Sequence, residues 1–70
     1  MDTQSVALLD IIRKDGYLVS STSHPEYGVV ILTKNGKHEN FRADTIDEAV
    51  SAAYAFFIEQ VALTSKVVDL

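Results

Sequence analysis

The run Val29-Val30-Ile31-Leu32-Thr33, followed closely by Asn35-Gly36, constrains this chain more than any other feature. Four apolar residues and a threonine at successive positions make a strand that is apolar on both faces and needs cover on each. Asn-Gly accepts positive φ at both positions, which a two-residue hairpin turn requires. With Asn35 and Gly36 as the loop, the register is fixed: Leu32 faces Glu39, Ile31 faces Asn40 and Val30 faces Phe41. One face of the hairpin then carries Val30, Leu32 and Phe41. The other carries Val29, Ile31, Thr33, His38, Asn40 and Arg42.

The flanks supply a further strand and two helices. Thr3 to Asp15 reads as a helix, with Asp2 or Thr3 as N-cap and a stripe made of Ser5, Leu8, Leu9 and Ile12. Arg13 and Lys14 suit its last turn, and Gly16 its end. Tyr17 to Thr22 reads as an edge strand, since its tail is Ser20-Ser21-Thr22-Ser23. His24 to Gly28 is a connection around Pro25, with Gly28 giving a tight exit. Lys37 to Arg42 is the third strand.

Thr45-Ile46-Asp47-Glu48 is a capping box opening a helix that runs to about Thr64. Ile46, Ala49, Val50, Ala53, Phe57 and Val61 share its apolar stripe, which Ala52, Phe56 and Leu63 widen on one flank and Tyr54 on the other. The tail Val67 to Leu70 has no assignment. The expected fold is α+β: helix, three-stranded antiparallel meander, helix, with the helices packed on the sheet. Cover for the middle strand comes from a helix on each face, or from two helices on one face and a second copy of the chain on the other.

Seventy residues make one domain, without room for a second core. A domain this small usually needs a staple, and with no cysteine it has neither disulfides nor a thiolate metal site. Self-association as a homodimer is therefore expected, together with an unidentified protein partner. The absence of cysteine and of a basic leader before an apolar run points to the cytoplasm, and no apolar stretch is long enough for a membrane span.

The net charge of −4 disfavours nucleic acid as a general partner, because phosphate neutralisation carries most such affinity. Lys34, Lys37, His38 and Arg42 nevertheless form a local basic patch on the hairpin, open to a phosphate backbone or an acidic partner. Tyr54, Phe56 and Leu63 are the candidate partner interface, since flanks this far apart do not all face one surface. No catalytic residue, cofactor or metal site is expected. The glycines at 16, 28 and 36 are isolated turn residues, the serines at 20 to 23 lack a nucleophile elbow, and His38 and Glu39, adjacent on a strand, point to opposite faces.

The segment Ala43-Asp44-Thr45-Ile46-Asp47-Glu48-Ala49-Val50-Ser51-Ala52-Ala53, a strand end followed by a D-T-x-x-E-A helix entry, resembles that of small phage-encoded ABA-sandwich proteins. It also resembles HicB-type antitoxins, in which a short meander precedes the same T-x-x-E-A helix, although this chain lacks that family's proline-glycine element. The first resemblance implies a sheet between helices and a phage or prophage accessory protein that binds another protein. The second implies an antitoxin that binds a toxin. Neither brings catalytic residues. The leading expectation is a non-enzymatic protein-interaction module; the antitoxin and a nucleic-acid contact through Lys34–Arg42 are the alternatives.

Overall fold

A computed structural model describes the backbone of residues 1–68 and the side chains of residues 1–64. The order is α1 (Thr3–Lys14), β1 (Leu18–His24), β2 (Tyr27–Lys34), β3 (Lys37–Ala43) and α2 (Ile46–Val68). The strands form one antiparallel sheet in the order β1-β2-β3, so the apolar strand is central, as the sequence requires. Lys34 pairs with Lys37 and Val30 with Phe41, the register set by an Asn35-Gly36 loop. Both loop residues take positive φ, 54° and 78°.

α1 begins as its sequence demands: the Asp2 side chain accepts from the Ser5 N–H at 2.7 Å. α2 starts from the capping box, with the Glu48 N–H donating to Thr45 Oγ1 at 3.2 Å. The reciprocal bond differs from the expected one. Thr45 Oγ1 itself donates to Glu48 Oε1 at 3.3 Å. α2 also runs past Thr64 to Val68, taking in the first part of the unassigned tail; residues 69–70 lie outside the described residues.

The turn between β1 and β2 is shorter than the sequence suggests. Tyr27 and Gly28 belong to β2, paired with His24 and Ser23, and only Pro25 and Glu26 turn. Gly28 does not supply a left-handed residue. It lets the α2 entry come down onto the sheet, for a Cβ there would overlap the backbone of Thr45 and Ile46.

Both helices lie on the same face of the sheet. Along β2, Gly28, Val30 and Leu32 are buried, while Tyr27, Val29, Ile31 and Thr33 are only half-buried. Val30 and Leu32 share a single core with Leu9 and Ile12 of α1 and Ile46, Ala49, Val50, Ala53 and Phe57 of α2. α1 packs against α2 and the edge strand β1 rather than across the second face of β2. The layer of helices on each side implied by the ABA-sandwich resemblance is thus not the arrangement found.

The helix pair is also tied by polar contacts. Ser5, buried within the apolar stripe of α1, donates its hydroxyl to Asp47 Oδ1 at 2.7 Å, and the Asp2 N–H donates to the same oxygen at 3.0 Å. The bond from the Asp2 amide foremost, and that from the Ser5 hydroxyl after it, hold the Asp47 carboxyl below its ordinary value. No helix among the described residues is long and apolar enough to cross a membrane.

Candidate functional site: the open face of the sheet

With both helices on one side, no other element among the described residues covers the second side of the sheet. Pairing places its side chains in rows: Leu18, Thr33 and His38; Ser20, Ile31 and Asn40; Thr22, Val29 and Arg42; then His24 beside Tyr27. Ile31 and Val29 form the half-buried apolar centre, and Leu18 stands 73% exposed at one corner. Around them lie hydroxyls, an amide and imidazoles. No strand position on this face is acidic, although the chain holds ten Asp and Glu. Such a surface combines apolar area with donors and a positive bias.

The residues of this face hold one another in place. Thr33 Oγ1 and His38 Nδ1 lie 3.0 Å apart across the hairpin. At the opposite end the His24 ring stacks on Tyr27, with centroids 4.5 Å apart and planes 16° from parallel. The Arg42 guanidinium sits 4.1 Å from the Tyr27 centroid. Three strands thereby contribute one side chain each to a single stack, a cross-strand arrangement that orders long side chains before any partner arrives.

The basic patch read from the hairpin is divided by the pleat. His38 and Arg42 belong to the open face. Lys34 and Lys37 pair on the helix side, where Lys34 Nζ donates to the Asp15 carbonyl at 3.0 Å and to its carboxylate at 3.1 Å, and lies 4.8 Å from the Tyr17 centroid. The structure does not bring the four together. Lys34 and Lys37 instead border an open depression of about 370 Å³, lined also by Tyr17, Leu32, Glu39, Phe56 and Gln60. Lys34 is already engaged by Asp15, and Lys37 shares the rim with the opposite charge of Glu39.

The other interface candidates are also separated. Phe56 packs on Phe41, centroids 5.4 Å apart, and Tyr54 on Phe57 at 5.9 Å. Both are half-buried at the margins of the core, whereas Leu63 is half exposed on the part of α2 beyond them. Tyr27 and His24 pair on the sheet, whereas the sequence suggests a connection spanning 24–28. The signal was present: Tyr27 and Gly28 continue the alternation of β2 outward by one pair. Among the described residues no group of three or more His, Cys, Asp or Glu stands close enough to hold a metal ion.

What this geometry defines, among the described residues, is a two-layer α+β arrangement with one bare sheet face. No family model, no curated protein and no solved structure matches the chain.

Proposed function

We propose that this chain is a non-catalytic protein-binding domain that docks a partner on the open face of its sheet. The observation that carries the reading is the placement of both helices on one side, which leaves Leu18, Tyr27, Val29 and Ile31 facing water among polar and basic neighbours. A patch of that composition, apolar at its centre and polar at its rim, is the usual character of an interaction surface. The setting we propose is that of a small phage- or prophage-type accessory protein, on the strength of the Ala43–Ala53 segment alone.

The test uses three immobilised proteins: the parent chain, Ile31→Glu on the open face and Val61→Glu on α2. Far-UV circular dichroism first establishes that each is folded. A partner retained by the parent and by Val61→Glu, and released by Ile31→Glu, supports the reading. A partner that ignores Ile31→Glu and is lost with Val61→Glu overturns it in favour of the helix.

A homodimer is a second reading, favoured by a different observation. β1 forms an edge of the sheet, and its sequence Leu18-Val19-Ser20-Ser21-Thr22-Ser23-His24 contains no Asp, Glu, Lys or Arg. Uncharged edge strands are templates for pairing with another copy. Stacking of two open faces is less favourable, because Arg42 and the histidines of each copy would meet a face without acidic strand positions.

A further inference from the structure

The His24–Tyr27–Arg42 stack has donors that the fold leaves unspent. The Glu26 N–H donates to His24 Nδ1 at 3.3 Å. With Nδ1 accepting, the proton of the neutral ring belongs on Nε2, which becomes a donor. Arg42 makes no salt bridge among the described residues; the two formed there are Arg13–Asp10 and Lys34–Asp15. Its guanidinium has five N–H donors in a rigid fork and is held against the Tyr27 ring. The Tyr27 hydroxyl is a further donor at the rim of the same stack. Glu26 and Asp44 are the carboxylates nearest in sequence, and neither is ion-paired with Arg42.

The Arg42 guanidinium lies over the Tyr27 ring, and its five N–H donors are more than one ring face can engage. The surroundings favour an anion over a cation or a neutral polar group, because every strand position of the open face is apolar, neutral or basic. Val29, paired with both Thr22 and Arg42, places apolar surface directly beside the donors.

We propose that His24, Tyr27 and Arg42 form an oxyanion-binding site, which takes the carboxylate or phosphoryl group of a ligand whose apolar part rests on Val29. Arg42 grips the anion with its fork, His24 Nε2–H and the Tyr27 hydroxyl complete its shell, and the stack holds the three in place. The inference takes the open face as the binding surface. Its test reads small anions alone, so failure here leaves Ile31-dependent capture of a protein partner standing.

The experiment is a titration of the full, ¹⁵N-labelled chain with benzoate and with phenyl phosphate, followed by NMR at constant ionic strength. Benzyl alcohol serves as the neutral probe of the same apolar body. The expected result is saturable movement of the amide signals of residues 24, 27, 29 and 42 and of the Arg42 Nε–H with at least one anion. The tighter of the two identifies the group as carboxylate or phosphoryl. Arg42→Gln should weaken that binding about tenfold, the usual worth of a charge-assisted pair. Arg42→Lys, which keeps the charge but loses the fork, should fall between, and Lys37→Gln on the helix side should bind as the parent does. Circular dichroism and thermal midpoints establish that the variants are folded, and Arg42→Lys carries the comparison if Arg42→Gln is not. The proposal is overturned if neither anion moves these signals more than benzyl alcohol does, or if the folded Arg42 variants bind as tightly as the parent.

Discussion

Gly28 and Gly36 both read as turn glycines in the sequence, yet they answer different physical demands. Gly36 has φ of 78° and nothing within 4 Å of where a Cβ would stand. Only backbone strain opposes a side chain there, so Gly36→Val should cost about 1 kcal/mol or more in urea unfolding. Gly28 has ordinary strand φ, and Ala at such a position normally strengthens a strand. Here the added methyl meets the backbone of Thr45 and Ile46, which cannot yield as a flexible side chain would. Gly28→Ala should therefore destabilise by about 1–3 kcal/mol, the range for overpacking. A neutral Gly28→Ala in the same experiment would mean that α2 enters at a greater distance from β2.

Asp47 makes a second prediction at this scale. Its carboxylate accepts from the Asp2 amide and the Ser5 hydroxyl, and its folded pKa is lowered below the ordinary 3.8. A group with a depressed folded pKa stabilises the fold above its unfolded value, and the benefit disappears as pH falls through the folded value. Asp47→Asn should thus lower the thermal midpoint near neutral pH. The difference from the parent should begin to shrink around pH 3.8 and close below it. A difference that stays constant through that range would assign the effect to lost packing instead of charge.

At the scale of elements, the capping box gives the cleanest expectation. The Thr45 hydroxyl accepts the Glu48 amide and donates to its carboxylate. Thr45→Ala should destabilise by about 1 kcal/mol in chemical denaturation, while Thr64→Ala, late in α2, should change little. Equal effects of the two would deny the cap its role. The elements that could be read from sequence were those with local chemistry: the Asp2 cap, the Thr45 box and the Asn35-Gly36 turn each use residues within a few positions of one another. The strand register followed from the turn for the same reason. What could not be read was which face α1 would cover. Its stripe of Ser5, Leu9 and Ile12 fits either side of a sheet, and its side follows from long-range packing on α2, which includes the Ser5 hydroxyl donating to Asp47 more than forty residues away. The split of Lys34 and Lys37 from His38 and Arg42 was implicit in the pleat, but grouping the residues by closeness in sequence concealed it. The open face as a site depended on the α1 choice, and so became visible only with the fold.

At the scale of the whole molecule, the sheet has two edges with different chemistry. β3 presents Lys37, Glu39 and Arg42, charges that discourage another strand from pairing. β1 presents none, and its seven residues are centred on Ser21. An antiparallel twofold pairing of β1 with its copy, in full register, places Ser21 beside Ser21 and extends the sheet to six strands. Such pairing would satisfy the edge amides and carbonyls and add burial to a domain too small for a large core. Ser21→Lys tests this directly. In a monomer the new side chain stands at an exposed edge and should be close to neutral for stability. In the dimer two ammonium groups would lie side by side at the axis, the arrangement cross-strand pairs tolerate least. Sedimentation equilibrium of the parent should show mass rising above 7.7 kDa as concentration reaches the high micromolar range, with Ser21→Lys remaining monomeric. A parent chain that stays at 7.7 kDa throughout would remove the homodimer and leave the open face as the molecule's one proposed docking surface.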